Sequence, residues 1–436
     1  MSDVSHILSP DTQAVLLLCS SFAGQAHAGV KPLTVPQYNR LANWLRDQHL
    51  RPGDLLHPEG MAKLRQSLDQ LKEAEAAVRL LERGVALALA VEHWANQGLW
   101  VLSRSDLDYP RRFKDQLKEK SPPLLFGAGH QDLLNRGGLA VIGSRHADAQ
   151  ALEFTRQIGQ RGAREDIQVI SGGAKGVDQQ AMLAALSQGG TVVGVLADNL
   201  GRATVSGKYR QAIRDGQLVL ISASAPESHF HIGNAMARNK LIYALSDWAL
   251  VVCTEIDKGG TWAGALENLR HNWVPLLVRH GPGVSSGNKR LIKEGGCSLD
   301  ETEVLQSARG LQDLLQQAAI QKKVEVIERT ETSAVNTAET EASSPKPIPL
   351  NESAPAGHQP DPDDVWDHQV WPAISVILRS KGQLTVNQLA ETLGVDKSQA
   401  KAWLKRATEE QKLKKLTRPV RYVNPDYGQK SLLDEQ

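Results

Sequence analysis

The sequence predicts an α/β protein built on a doubly wound, mostly parallel sheet. Between Leu139 and about Leu315, short apolar runs alternate with helical patterns. The apolar runs are Leu139 to Ile142, Ile167 to Ile170, Thr191 to Leu196, Leu218 to Ile221, Trp248 to Cys253 and Val274 to Val278. Continuous apolar strands separated by helices are typical of a parallel sheet that is covered on both faces.

The chain of 436 residues is too long for one ordinary core and predicts several domains. Residues 1–95 have a helical pattern, clearest in the charged periodic run from Met61 to Ala95. The sheet domain is expected over 96–320. Residues 321–364 are acidic and poor in apolar side chains, which predicts a disordered linker. A compact piece at 365–425 follows it.

This last piece predicts a winged-helix domain. A helix ends near Gly382, Thr385 is placed to cap a second helix, and a third helix precedes two short strands. Eleven Lys and Arg residues outnumber five Asp and Glu residues over 365–425. Its candidate DNA contacts are Lys401, Lys405, Arg406, Arg418 and Arg421. Duplex DNA is one expected partner; the alternative is that the module contacts another protein.

Composition limits the remaining choices. The net charge is only +1, so nucleic-acid contacts must come from local patches. The three cysteines show no CxxC spacing, which indicates a reducing compartment and no zinc site. No signal peptide and no run of 18 apolar residues is present, so we expect a cytoplasmic protein with no membrane contact.

Two glycine-bearing turns stand where predicted strands run into helices. The first is Gly143, Ser144, Arg145, and the second runs from Ser171 through Gly172, Gly173 and Lys175 to Gly176. Unpaired N–H groups at a helix start favour an anionic oxygen, and each turn adds one cation. Neither turn has the dinucleotide pattern GxGxxG or the Walker pattern. The alternative is that the glycines only permit tight turns.

Two further clusters favour the binding interpretation. Arg238, Asn239 and Lys240 lie in a predicted helix, and Gly259, Gly260 and Thr261 follow the strand that begins at Trp248. In a doubly wound sheet such turns meet at the carboxyl ends of the strands. Four polar or cationic junctions on one edge suit a polyanion better than a small metabolite.

These motifs resemble the DNA-processing protein A family, also called DprA or Smf. The resemblance spans roughly 100–280 and includes a lead-in to the sheet and a triplet after the cationic cluster. The lead-in residues are Asp106, Tyr109, Pro110, Arg111 and 121–127, and the triplet is Leu245, Ser246 and Asp247. The resemblance implies an extended Rossmann-like domain that binds single-stranded DNA, forms homodimers and loads the RecA recombinase during natural transformation. It implies no covalent chemistry and no cofactor.

Carried over by position, the resemblance implies that Arg145, Lys175, Arg238 and Lys240 hold phosphates. Ser144 and the glycines let the strand approach the backbone, while Asn239 and Asp178 fix the turns. Where the family usually has an aromatic side chain that is able to stack on a base, this chain has Ala235. Phe230 is the nearest aromatic, and Lys240 replaces the bidentate arginine.

The sequence leaves other functions open. A regulator or antitoxin-like component of an antiphage defence or stress system, acting on a toxin or effector protein, would suit the same architecture. A nucleotide-binding or nucleotide-hydrolysing enzyme is a second alternative, although the phosphoribohydrolase signature is not reproduced around Gly260 and Glu267. His229 and His231 lack further ligands for a metal, and Ser144 lacks a nucleophile elbow. We therefore expect no catalytic residues and no metal.

Overall fold

The computed structural model describes residues 8–22, 30–228 and 232–320, together with parts of 374–423. In that last segment the described stretches are 374–375, 378, 383–393, 397–410, 412–417 and 420–423. The chain divides into two compact units, Met1–Ala342 and Ser343–Gln436, and each is described by itself. The predicted linker 321–364 lies outside the described residues.

The first unit is built on one sheet of nine strands. They are β1 (Trp100–Ser103), β2 (Leu124–Ala128), β3 (Leu139–Ile142), β4 (Val169–Ser171), β5 (Val192–Leu196), β6 (Leu218–Ser222), β7 (Trp248–Val251), β8 (Leu276–His280) and β9 (Cys297–Asp300). All six predicted strands are present. The apolar pattern did not indicate β1, β2 or β9 as strands, because β1 and β2 precede the alternating pattern and β9 follows the last of its apolar runs.

The strand order is β1-β2-β6-β5-β4-β3-β7-β8-β9. The pairs β1–β2 and β2–β6 are antiparallel, and all pairs from β6 to β9 are parallel. The chain runs outward from β3 to β6, then returns to place β7 on the other side of β3. The order therefore reverses between β3 and β7, which is where ligands collect in open α/β sheets.

Helices surround the sheet. They are α1 (Pro10–Cys19), α2 (Val35–Asp47), α3 (Pro58–Gln66), α4 (Ala74–Leu81), α5 (Gly84–Asn96), α6 (Arg111–Leu117), α7 (Ala149–Arg164), α8 (Val177–Leu186), α9 (Leu200–Thr204), α10 (Arg210–Arg214), α11 (Ile232–Leu245), α12 (Gly259–His271), α13 (Ser286–Lys293), α14 (Glu301–Gln306) and α15 (311–320). Short 3-10 turns occupy Pro52–Leu56, Lys118–Lys120 and Gln131–Asn135.

Both faces of the sheet are buried. Along β3, Leu139 and Val141 pack into one apolar cluster, while Ala140 and Ile142 pack into another. Successive side chains of a strand point to opposite faces, so a continuous apolar strand requires cover on both sides. The predicted parallel sheet is confirmed.

The N-terminal region is helical as predicted, but the run from Met61 to Ala95 is not one helix. The structure divides it among α3, α4 and α5, with a turn at 67–73. A single helix of that length would be about 50 Å long. Short helices instead let Leu64, Leu71 and Leu80 all enter the core.

The second unit contains β10 (Gln383–Leu384), α16 (Val386–Leu393), α17 (Lys397–Glu409), β11 (Lys414–Thr417) and β12 (Val420–Val423). The strands form one sheet in the order β10-β12-β11. Thr385 Oγ1 accepts from the N–H of Gln388 at 3.3 Å, as the capping prediction required. The predicted end of the preceding helix, at Ser380 to Gly382, lies outside the described residues.

Candidate nucleic-acid interface

Two adjoining cavities lie along the carboxyl ends of β3, β4, β5 and β7. The first has a volume of about 930 Å³ and follows the loops after β3, β4 and β5. The second has a volume of about 440 Å³ and lies between the loops after β3 and β7. Both are bordered by Arg145, His146, Ala174 and Arg238. The cavities therefore form one groove, which we call the cleft, at the point where the strand order reverses.

The floor of the cleft is a buried cluster of Gly172, Asp178 and Arg238. The carboxylate of Asp178 accepts hydrogen bonds from the backbone N–H groups of Gly143, Gly172 and Ala174. Burial raises the pKa of Asp178, while Arg238 and these backbone donors lower it. One side chain thus joins the loops after β3 and β4, which is the role that the sequence analysis gave to Asp178.

Arg238 is 8% exposed and lies between the cleft and the sheet. Its Nη1 donates to the carbonyl oxygen of Val195 at 2.8 Å, whereas its Nε has no hydrogen-bond partner among the described residues. Burial lowers the pKa of Arg238, and the Asp178 charge opposes that effect. A Cβ on Gly172 would be 1.5 Å from Nη1 of Arg238 and 2.6 Å from Oδ2 of Asp178. Glycine at 172 therefore makes room for the guanidinium.

The loop after β3 is fixed through Ser144. Its N–H donates to the carbonyl oxygen of Cys253 at 3.0 Å, and its own carbonyl accepts from the N–H of Val177 at 3.4 Å. Gly176 has φ +87°, and a Cβ there would be 2.4 Å from the Ser144 carbonyl oxygen. The loops after β3, β4 and β7 are thus locked together before any ligand binds.

The rim of the cleft carries exposed cations. Arg145, Lys175, Arg202 and Lys208 all border the larger cavity, with Asp198 as an acidic neighbour. A concave surface lined mainly by one sign of charge attracts ligands of the opposite sign. The cleft therefore combines a rigid floor with an electropositive rim.

Within the described residues, no group of three or more His, Cys, Asp or Glu side chains is placed to hold a metal ion. Nor is any described helix long and apolar enough to cross a membrane. Binding of an anion is what the arrangement supports best.

Residues 100–309 match the family model described as DNA recombination-mediator protein A. Residues 100–309 are thus a domain of the DprA/Smf family. The chain is 31% identical over 182 residues to DNA processing protein DprA of Streptococcus pneumoniae, a match that covers 40% of this chain and 62% of that relative. It is 24% identical over 250 residues to DprA of Bacillus subtilis, covering 54% and 80%. The match thus spans less than two thirds of the pneumococcal protein.

The solved structure of DprA from Streptococcus pneumoniae shares the fold of this chain. The TM-score is 0.51 at 21% identity, and the match covers 69% of this chain and 98% of that structure. The fold-class prediction is therefore confirmed for the α/β sheet and the N-terminal helices.

Most of the predicted site residues of this DprA/Smf domain meet at the cleft. The residues that line it are Gly143, Ser144, Arg145, Gly172, Gly173, Lys175, Arg238, Asn239, Gly259, Gly260 and Thr261. Asn239 Nδ2 donates to the carbonyl oxygen of Gly260 at 3.0 Å, which ties α11 to the start of α12. Ala235, which stands where the family usually has an aromatic, lines the smaller cavity beside Met236.

Three predicted residues do not line the cleft. Ser171 is buried in β4 and donates to the carbonyl oxygen of Val141 at 2.6 Å, so it joins two strands. Gly176 shapes the backbone behind the cleft. Lys240 borders a different cavity, near α2, because two residues along a helix rotate a side chain by about 200° away from Arg238.

Four residues that were not predicted from the sequence also border the cleft after β5: Asp198, Arg202, Lys208 and Tyr209. No glycine or cationic triplet marks the turn after β5. The signal that was available is the rule that every parallel strand delivers its following loop to the same edge of the sheet.

The second unit carries the remaining candidates. Lys401 and Lys405 are exposed on α17. Arg406 forms a salt bridge with Glu410, with 2.7 Å between Nε and Oε1. Arg421 belongs to β12, whereas Arg418 lies outside the described residues, as do His229, Phe230 and His231.

Proposed function

We propose that this chain is a non-catalytic, DprA-type DNA-processing protein that binds single-stranded DNA in the cleft. The observation that carries this proposal is the joining of two cavities by Arg145 and Arg238. The combined volume of the two cavities exceeds the space that a single nucleotide needs. A continuous cationic groove suits a sugar-phosphate chain.

Binding in the cleft depends mainly on phosphates. The loops present backbone and cationic groups, and Ala235 offers no ring on which a base could stack. We therefore expect little sequence preference and strong dependence on salt. We propose that the second unit is a winged-helix domain and that it contacts duplex DNA or another protein through α17.

The family description supports a place in DNA recombination. On that basis we propose a cytoplasmic homodimer that delivers bound strands to a recombinase of the RecA type. The alternative partner is a toxin or effector protein of a defence system. In that case DNA binding in the cleft would regulate the activity of this partner.

The test is fluorescence anisotropy of a labelled oligo-dT over a series of salt concentrations. Replacing Arg145 or Lys175 by alanine should weaken binding and reduce the salt slope by about 0.7 for each lost phosphate contact. Lys63→Ala is the matched control, because Lys63 is an exposed lysine on α3, outside the cleft. Equal slopes for all three variants would contradict the proposal.

A nucleotide ligand is the second candidate. The larger cavity, at about 930 Å³, falls within the size range of small-molecule sites. A nucleoside monophosphate that displaces oligo-dT at low concentration, or that is hydrolysed, would favour the enzyme or sensor over the DNA mediator.

A further inference from the structure

A separate cationic cavity lies where the N-terminal helices meet α11. Its volume is about 440 Å³, and it lies between α2, the turn Lys118–Lys120 and α11. We call it the Lys240 pocket. Its polar lining residues are Asn39, Arg40, Asn43, Glu119, Lys120 and Lys240. Three cations and one carboxylate therefore line it, and one of these cations, Arg40, is paired with Glu73 outside the pocket.

Polar contacts with neighbouring groups hold the side chains of the Lys240 pocket in place. Arg40 Nε donates to the buried carboxylate of Glu73 at 2.9 Å, and Lys120 Nζ is 3.2 Å from Nε2 of His271. Asn39 Nδ2 donates to the Glu119 carbonyl oxygen at 2.8 Å. Side chains that are already positioned lose less conformational entropy when a ligand arrives.

Unlike Arg40, which pairs with Glu73, Lys240 forms no salt bridge among the described residues, and it is half-buried. Burial lowers the pKa of Lys240; the nearby charge of Glu267 opposes this effect, and the like charges of Lys120 and Arg104 lower the pKa by smaller amounts. An anion in the pocket would relieve this repulsion.

The helix geometry connects the pocket to the cleft. Arg238 and Lys240 lie two residues apart on α11, so they project from opposite flanks of a helix about 10–12 Å across. A polyanion that crosses this helix can contact both cations. A free phosphate ion could contact only one of them.

We propose that a single DNA strand leaving the cleft crosses α11 and places its phosphates in the Lys240 pocket. This inference rests on the proposed function of the cleft. It gives the N-terminal region a direct part in DNA binding, through Arg40 and Asn43 of α2. It also assigns Lys240 to the exit of the strand and not to the cleft itself.

The test compares two labelled oligo-dT lengths, about six and about thirty nucleotides, on the full chain. The double variant Lys120→Ala/Lys240→Gln should bind the long oligonucleotide about five- to ten-fold more weakly. Its salt slope should fall by about 1.4, for two lost phosphate contacts. Binding of the short oligonucleotide, which fills only the cleft, should stay within about two-fold.

Matched variants keep the outcome clear. Lys240→Arg retains the charge and should keep the long-oligonucleotide affinity, and Lys63→Ala controls for the loss of an exposed lysine. Lys120→Ala alone changes an exposed side chain and serves if the double variant fails to fold. Unchanged binding of the long oligonucleotide, or equal losses for both lengths, would overturn the inference. If Arg145→Ala/Lys175→Ala still binds the short oligonucleotide fully, the proposed function of the cleft fails instead.

Discussion

The floor and the rim of the cleft use the same residue types for different purposes. On the floor, Arg238 is almost fully buried against Gly172 and near Asp178. On the rim, Lys175 and Lys208 are exposed. A buried charge contributes through the neighbours that it holds, whereas an exposed one acts at long range on a ligand. The floor should therefore control stability, and the rim should control affinity.

The largest expected effect comes from removing the floor carboxylate. Asp178→Ala would leave three backbone N–H groups without their acceptor and a buried guanidinium without its counter-charge. We expect the free energy of unfolding to fall by about 3–5 kcal/mol. Urea unfolding followed by circular dichroism measures this loss. Asp178→Asn keeps an acceptor oxygen and should cost less, and a loss below about 1 kcal/mol for the alanine variant would show that the floor is not structural.

Gly176→Ala should have the second largest effect. The residue needs φ +87°, and a Cβ there would be 2.4 Å from the backbone oxygen of Ser144. Because that oxygen belongs to a locked loop, we expect a loss of about 2–3 kcal/mol in unfolding free energy. Gly207→Ala is the control, since a Cβ at 207 has nothing within 4 Å. Equal stability of the two variants would contradict the tight contact between the loops.

The rim should respond in the opposite way. Arg202→Ala and Lys208→Ala should each reduce the affinity for oligo-dT by about three- to ten-fold at low salt, because each removes a cation from the larger cavity. Their thermal midpoints should match that of the wild-type chain. If either variant lost stability and not affinity, the division between floor and rim would be wrong.

The sheet could be predicted from sequence because its strands are continuous apolar runs between helices, as in Leu139 to Ile142. The different roles of the floor and the rim of the cleft could not be predicted. Arg238 and Lys240 belong to the same cationic triplet, and only their positions around the axis of α11 place them on different sides of the helix. Arg202 and Lys208 carry no motif, so their place beside the cleft depends on how the chain after β5 folds back.

The smallest effect is expected at Lys258, on the edge of the smaller cavity. Glu255 lines the same cavity and offsets part of its charge. Lys258→Ala should therefore lower the affinity for oligo-dT by only about two-fold, and Glu255→Gln should raise it by a similar factor. Anisotropy at two salt concentrations separates these changes, which should shrink as salt rises. If Lys258→Ala lowered the affinity as much as Lys208→Ala, the bound DNA strand would lie between the loops after β3 and β7. The smaller cavity would then be the main binding site.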